Sequence, residues 1–252
     1  MSLSSPAIMI VLAFVCEYVD SSLGMGYGTT LTPLLLVFGF DPLQIVPAVL
    51  LSELATGVTA GIVHHGFGNV NLRRGSRDLG MVITMTTCSA FGVLVAVLVA
   101  INLPPPLLKT CIGLLVLAIG ITILLTRGSQ FGFSWRKVTI LGLVAAFNKG
   151  MSGGAYGPVV TGGQILSGVE SRSAIGIASM AEGLTCLVGV IAYCLSGECI
   201  DWGLAPWLMI GAICSVPLAA YTVKRVSPKG LRRVIGVAAT LLGLLTLYKV
   251  VL

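Results

Sequence analysis

The sequence predicts an all-α polytopic membrane protein made of two inverted repeats of five helical segments each. Three observations lead to this fold class. Only 10% of the residues are charged, 56% are hydrophobic and the mean hydropathy is +1.02, whereas a soluble domain has about 25% charged residues. The apolar runs have the length of helices and lack the alternation of a membrane β-barrel. The same order of motifs also occurs twice along the chain.

Ten apolar runs follow one another, five in each half of the chain. They cover residues 6–19, 28–38, 43–65, 78–101, 105–126, 137–148, 157–168, 173–195, 205–223 and 230–252. Crossing a hydrocarbon core of about 30 Å takes about 20 helical residues. The third, fourth and fifth runs of each half are long enough to cross, whereas the first two are short. Each short pair is therefore predicted to form a re-entrant, V-shaped helical hairpin that opens its half.

The basic residues divide unequally between the two ends of the predicted helices. Lys and Arg concentrate in cytoplasmic loops, and alternation of the long helices puts most of them on one face. Twelve of the fifteen lie there: Arg73, Arg74, Arg77, Arg127, Arg136, Lys137, Arg172, Lys224, Arg225, Lys229, Arg232 and Arg233. The opposite face carries Asp41, Glu198, Asp201, Lys109 and Lys249. Both termini are then expected outside, and the net charge of +6 reflects topology, so no nucleic acid partner is expected.

An internal repeat appears when the sequence is shifted against itself by 129 residues, which brings Tyr27 onto Tyr156. Glu53 meets Glu182 at the same shift, a rare coincidence in a chain with five Glu. The loop after the third run is basic (NLRRGSR) and its counterpart is acidic (SGECID), so the halves are expected to insert in opposite directions. Such repeats are typical of secondary transporters. We assign residues 1–128 to the first repeat and 129–252 to the second, within one transmembrane domain.

The N-terminal region contains no Lys or Arg among its first 20 residues. A cleavable signal peptide begins with a positively charged region. We therefore expect the N-terminus to be retained.

Glycine clusters interrupt each half at residues 20–28 and 149–157. A break at membrane depth is tolerated only where its backbone groups line a cavity or are buried in protein. A helix that begins at Gly28 or Gly157 directs unpaired N–H groups and a positive dipole end toward this space, which suits an anion. The candidate substrate-binding residues are Gly24, Met25, Gly26, Tyr27, Gly28, Asn148, Lys149, Ser152, Gly153, Gly154 and Tyr156.

Charged residues inside apolar runs are costly unless they are paired or functional. Lys149 is predicted to hold an anion; alternatively it extends to an interface or pairs permanently with a Glu. Glu53 and Glu182 are candidates for proton coupling or gating, and structural hydrogen bonds to the hairpin backbone are the alternative. His65 is a further gating candidate. An ordinary place at the membrane interface also explains it and its neighbour His64.

Two other functional classes are compatible with parts of the sequence. The triplet G-Y-G at 26–28 occurs in channel filters, but a filter needs several copies around one axis, and the repeats here run in opposite directions. The segment GMSGG at 150–154 resembles a hydrolase motif, but Ser152 as nucleophile needs a nearby base. The only two histidines are predicted at the cytoplasmic edge. We therefore predict no catalytic residue, no enzyme activity, no metal and no cofactor.

The stretches at residues 24–33, 39–53 and 65–70 have a degenerate second copy at 150–163 and 170–176. Together they resemble the TauE/SafE family of sulfite and organosulfonate exporters, also called toluene sulfonate uptake permeases. The resemblance covers nearly the whole chain. It implies a transporter, in many members an exporter, of small sulfur-containing anions such as sulfite, sulfoacetate, taurine or a related sulfonate. The expected place is the lipid bilayer of the bacterial cytoplasmic (inner) membrane, and a homo-oligomer is compatible with the sequence.

Overall fold

The computed structural model describes residues 5–125, 135–154, 156, 157, 160, 161, 164, 169–198, 200–223, 237 and 240–248. All regular structure within these residues is helical, which confirms the all-α prediction. The helices are α1 (Pro6–Leu23), α2 (Tyr27–Val37), α3 (Pro42–Gly66), α4 (Arg77–Asn102), α5 (Pro105–Leu125), α6 (Trp135–Ser152), α7 (Ser171–Leu195) and α8 (Ala205–Thr222). The described parts of 156–164 and 240–248 are helical too. The predicted repeat boundary between 128 and 129, and parts of the runs predicted at 157–168 and 230–252, lie outside the described residues.

Five helices within the described ranges are long and apolar enough to cross a membrane: α1, α3, α4, α7 and α8. Large apolar side chains such as Phe91 and Leu98 of α4 point outward, 68% and 59% exposed, and a bilayer would cover them. Helix α1 has 18 residues, which is longer than the apolar run predicted for it. Its last turn contains Asp20, Ser21 and Ser22, which are buried inside the protein. The re-entrant form of the α1–α2 pair stays a prediction.

The two glycine breaks lie against each other. Helix α1 is followed by Gly24 with φ 66° and Gly26 with φ 138°, and α6 is followed by Gly153 with φ 66°. L-residues rarely adopt such left-handed conformations. The Thr161 hydroxyl of the second half donates to the Gly24 carbonyl oxygen at 2.7 Å. A Cβ added at Gly28 would overlap the backbone of residues 153 and 154, so glycine is required there by close backbone approach.

Helices α3 and α7 pack against each other at the centre of the fold. A Cβ at Gly57 of α3 would lie 2.8 Å from the Cα of Gly183 in α7, which explains the small residues at this crossing. Helix α1 packs on α8, α4 packs on α6, and α3 and α4 also contact α8 and α7, respectively. Since α3 and α7 each have 25 residues, Glu53 and Glu182 lie near the middle of the two central helices.

The ends of the bundle differ in charge. Arg73, in the loop before α4, and Arg172, at the start of α7, line one surface pocket. This places two of the predicted cytoplasmic residues at the same end. At the opposite end of α3, Lys109 forms an ion pair with Asp41 at 3.6 Å. The orientation of this axis in the membrane stays a prediction.

We expect Gly28→Ala to destabilise the fold, because its Cβ would lie 2.6 Å from the Cα of Gly154. Overpacking typically costs about 1–3 kcal/mol, so the midpoint of thermal unfolding in detergent should fall clearly. Gly66→Ala is the matched control, because a Cβ there meets nothing within 4 Å. Equal unfolding midpoints for the two variants would contradict the close contact between the breaks.

Candidate functional site

The centre of the candidate site is the ammonium group of Lys149, on the last turn of α6. Its side chain is fully buried and forms ion pairs with Glu53 of α3 and, at 2.6 Å, with Glu182 of α7. A lysine at this depth is costly unless it has a counterion. The structure therefore brings three predicted site residues together and shows that Lys149 is paired with both Glu residues instead of extending to an interface.

The N-terminus of α2, predicted to receive an anion, already binds carboxylates of the protein itself. The backbone N–H of Tyr27 donates to Oδ1 of Asp20 at 3.2 Å. The backbone N–H of Gly28 donates to Oε1 of Glu53 at 3.3 Å. The positive end of the helix dipole stabilises negative groups there. The predicted preference for an anion is thus satisfied internally, and Glu53 links this helix end to Lys149.

Two acidic residues of α1, Glu17 and Asp20, complete the site and were not among the sequence-based candidates. Both are buried, with exposed fractions of 2% and 6%. Glu17 accepts hydrogen bonds from the hydroxyls of Ser21 at 2.6 Å and Thr56 at 3.2 Å. Glu17 and Asp20 are three residues apart, which puts them on one face of α1. The internal repeat could have indicated Asp20, since the shift of 129 residues aligns it with Lys149, a predicted site residue.

We call Glu17, Asp20, Glu53 and Glu182 the acidic cluster. Its four residues line a cavity of about 10 Å³ together with Thr56, Gly57 and Ser179. This volume is about what one water molecule needs. Two of the four carboxyl groups form ion pairs with Lys149, which leaves two without a cation. The site as a whole therefore favours a further cation or a proton.

The second glycine break is held by the side chain of Ser152. Its hydroxyl donates to the carbonyl oxygen of Asn148 at 2.7 Å and accepts from the backbone N–H of Gly154 at 3.1 Å. The N–H of Gly153 donates to the Lys149 carbonyl at 2.8 Å. These bonds cap the end of α6 and so fix the position from which Lys149 extends. Every hydrogen-bond partner found for the Ser152 hydroxyl is a backbone atom, in contrast to a nucleophile bound to its base.

The remaining candidates of the first break are buried beside the cluster. Gly24, Met25 and Gly26 form the turn between α1 and α2, and the N–H groups of Gly24 and Met25 donate to the Asp20 carbonyl at 2.6 and 3.2 Å. The Tyr27 ring is fully buried, and its hydroxyl lies 2.8 Å from that of Ser52.

Tyr156 is equally buried, and its hydroxyl lies 3.3 Å from that of Ser89 on α4. Both tyrosine hydroxyls therefore bind serines of neighbouring helices. This arrangement accounts for their burial by packing, and contact with a substrate stays a prediction.

The histidines lie away from Lys149. His65 is 12 residues after Glu53 in α3, which corresponds to about 18 Å along the helix axis. It is half-buried, with Nδ1 3.0 Å from the Val70 carbonyl oxygen, and lines a surface pocket of about 360 Å³. His64 is fully buried within the protein, and its place at the depth of the membrane interface stays a prediction. Its ring turns inward and contacts the last turn of α1 at Ser21.

A comparison with protein-family models identifies the chain. The model described as "Sulfite exporter TauE/SafE" matches residues 9–246. This protein belongs to the TauE/SafE family. A TauE/SafE relative is "Probable membrane transporter protein YtnM" of Bacillus subtilis (strain 168), which is 29% identical over 238 residues that cover 88% of this chain and 76% of the relative. No solved structure matches. The chain is thus a multi-pass membrane transporter of the TauE/SafE family, as the sequence motifs predict.

Lys149→Met is expected to destabilise the protein strongly, because it leaves Glu53 and Glu182 buried without their cation. Removal of one partner of a buried ion pair typically costs about 3–5 kcal/mol. Thermal unfolding in detergent measures the change. Adding Glu53→Gln and Glu182→Gln to Lys149→Met removes the uncompensated charges and should restore much of the loss. We call the two ion pairs of Lys149 with Glu53 and Glu182 the Lys149 bridge. Equal stability of Lys149→Met and the wild-type protein would contradict this bridge.

Proposed function

We propose that this TauE/SafE protein is a secondary transporter that exports sulfite or a small organosulfonate across the cytoplasmic membrane, with Lys149 as the anion-binding residue. The observation that carries the proposal is the buried ammonium of Lys149, which Glu53 and Glu182 share. Sulfite and sulfonates offer several oxygen acceptors around one negative group. They can therefore replace a carboxylate at Lys149 and at the N–H groups of α2 when the displaced carboxylate takes up a proton, because no buried charge then stays unpaired.

Coupling to protons follows from competition for Lys149. An anion and the carboxylates of Glu53 and Glu182 cannot all bind one ammonium. Protonation of either Glu removes its negative charge and breaks its ion pair with Lys149, which leaves the ammonium available to an anion. Protonation and anion binding therefore favour each other. We propose that Glu53 and Glu182 act in this way as coupling residues, while His65 at the surface pocket acts in gating.

Transport by alternating access is supported by the size of the central cavity and by the packing. A cavity of about 10 Å³ is too small for a sulfonate, so the substrate must enter after the helices move. The pairing of α1 with α8 and of α4 with α6 is what two inverted repeats would produce, because each pair joins the first segment of one repeat to the fourth of the other. We propose that these repeats move against each other.

A channel is the second candidate, since G-Y-G occurs in the first break. Here, however, the carbonyl of Gly24 and the N–H of Gly28 bind groups of the protein. A filter instead presents a ring of free carbonyl groups to the ion. A secondary transporter therefore agrees better with the contacts of this segment.

Proteoliposomes are expected to show saturable counterflow of at least one anion among sulfite, sulfoacetate and taurine, with sulfate as a fourth test anion. An imposed proton gradient should drive accumulation of the same anion, because protonation and anion binding are coupled. Flux that stays linear with concentration and does not respond to a gradient would indicate a channel. Absence of flux for the whole panel would contradict the proposed substrate class.

Lys149→Gln is expected to lower counterflow by at least about tenfold, since a hydrogen bond to a charged group contributes about 1.5–3 kcal/mol and 1.4 kcal/mol corresponds to a factor of ten. Glu182→Gln, which cannot gain or lose a proton, is expected to abolish accumulation driven by a proton gradient, while counterflow continues. Lys109→Gln is the matched control, because Lys109 pairs with Asp41 at the surface. Rates are compared at equal amounts of monodisperse protein. Unchanged transport in both test variants would show that the anion binds elsewhere.

A further inference from the structure

The geometry points to Glu17 and Asp20 as a proton-binding site separate from the Lys149 bridge. We infer that this site exchanges protons with the surface pocket through His64 and Asn69. The inference rests on the proposed proton-coupled transport and adds to it the residues that store the proton and the route by which it arrives.

Charge balance separates Glu17 and Asp20 from the rest of the acidic cluster. Lys149 is used by Glu53 and Glu182, and the ion pairs found among the described residues include neither Glu17 nor Asp20. Glu17 has two hydroxyl donors, and Asp20 has one backbone N–H. An ionised carboxylate buried without a cation is very costly. A bound proton removes this cost, and its gain and loss change the charge of the site.

The cavity beside these residues contains an unused hydrogen-bonding group. The hydroxyl of Ser179 is buried in its wall and has no hydrogen-bond partner among the residues that the structure describes. A protonated carboxyl group has an O–H that needs an acceptor, and a water molecule of the cavity can join it to Ser179.

A metal ion is a poorer occupant of the same cavity than a proton. Within the described residues no group of three or more His, Cys, Asp or Glu is arranged to hold a metal ion. The cavity volume of about 10 Å³ also leaves room for about one water. Of the cations that would balance Glu17 and Asp20, the proton therefore fits best.

A line of polar contacts joins this cavity to the surface pocket of about 360 Å³, of which Asn69 forms part of the wall. The Asn69 amide nitrogen lies 3.0 Å from Nδ1 of His64, and Nε2 of His64 lies 3.0 Å from the Ser21 carbonyl oxygen. Because the amide donates to Nδ1, the hydrogen of the neutral ring is on Nε2 and is donated to Ser21. The hydroxyl of this same residue donates to Glu17.

The path works when Asn69 turns aside and exposes Nδ1 of His64 to water in the pocket. The ring takes a proton at Nδ1 and releases the proton of Nε2 to the Ser21 hydroxyl, after turning from the carbonyl. Ser21 passes its own proton to Glu17 and keeps the one received. One proton thus enters and one arrives. The neutral ring then carries its hydrogen on Nδ1, and it must exchange this hydrogen for one on Nε2 before the next transfer.

The groups around Glu17 and Asp20 that can carry charge or titrate come from five helices. They are Cys16 on α1, Tyr27 on α2, Glu53 and His64 on α3, Lys149 on α6 and Glu182 on α7. Helix α8, which packs along α1, has no charged residue between Ala205 and Thr222. A proton on Glu17 or Asp20 therefore acts on Lys149 by changing the electrostatic repulsion on Glu53 and Glu182, which form the ion pairs with Lys149.

The test compares Glu17→Gln and Asp20→Asn with Glu198→Gln, a control in the loop after α7. Counterflow of labelled sulfite, or of sulfoacetate if sulfite is not carried, reports anion exchange, and a trapped pH dye reports proton movement. We expect at least one test variant to lose proton movement and gradient-driven accumulation while counterflow continues. Retention of proton movement in both, or parallel loss of both activities, would overturn the inference. A wild-type protein that carries no panel anion would instead contradict the proposed function.

The wild-type protein provides a second test that does not depend on folding of a variant. A hydrophobic carbodiimide reacts with protonated carboxyl groups inside membranes, and mass spectrometry locates the product. We expect labelling of Glu17 or Asp20 that decreases as the pH rises. Labelling confined to Glu53 and Glu182, or absent at every pH, would overturn the assignment.

The variant His64→Gln tests the proton path. Its side chain is polar but lacks the imidazole ring, so it cannot take up a proton on one nitrogen and release one from the other. We expect gradient-driven accumulation to be lost or slowed while counterflow remains. If both activities keep their wild-type values, protons reach the cluster by another route and the assignment of His64 is wrong.

Discussion

Lys149 places a full positive charge in the middle of an apolar bundle, and the surrounding helices are positioned to neutralise it. Glu53 and Glu182 reach it from α3 and α7, the two central helices. Because an unpaired charge at this depth is so costly, the bridge restricts how α6 can lie against the central pair. The glycine breaks then permit the backbone approach that it requires, since residue 28 and residues 153–154 are in direct contact.

The acidic cluster gives this bridge its chemical character. Two of its four carboxyl groups pair with Lys149 and the other two have no ion pair among the described residues, so the site is short of positive charge and the protonation of any member alters the others. The N-terminus of α2 adds two N–H donors, which bind Asp20 and Glu53. In the proposed mechanism, anion binding, proton binding and helix position are linked through the same few atoms. This is the linkage that a secondary transporter needs, because movement of one ion must depend on the other.

Part of the site was predictable because its signals are local. Lys149, Glu53 and Glu182 are unusual within apolar runs, and the repeat pairs the two Glu residues. Gly24 and Gly153 follow helix ends, and Gly26 precedes the start of α2. Glu17 and Asp20 were harder to identify, since they lie at the end of the first apolar run, where charged residues of a helix end are common. The structure shows that α1 continues to Leu23 and turns both carboxyl groups inward.

Composition and apolar run length were enough to predict an all-helical membrane protein, and the resemblance of residues 24–33, 39–53 and 65–70 to the TauE/SafE family predicted the family. These properties depend on neighbours in the chain, on 3.6-residue periodicity and on the thickness of a bilayer. Which carboxyl group binds Lys149, and which closes the end of α2, depends on contacts between residues far apart in sequence. Such choices follow from the packing of α1, α3, α6 and α7 around one small cavity, where each buried charge must find its partner.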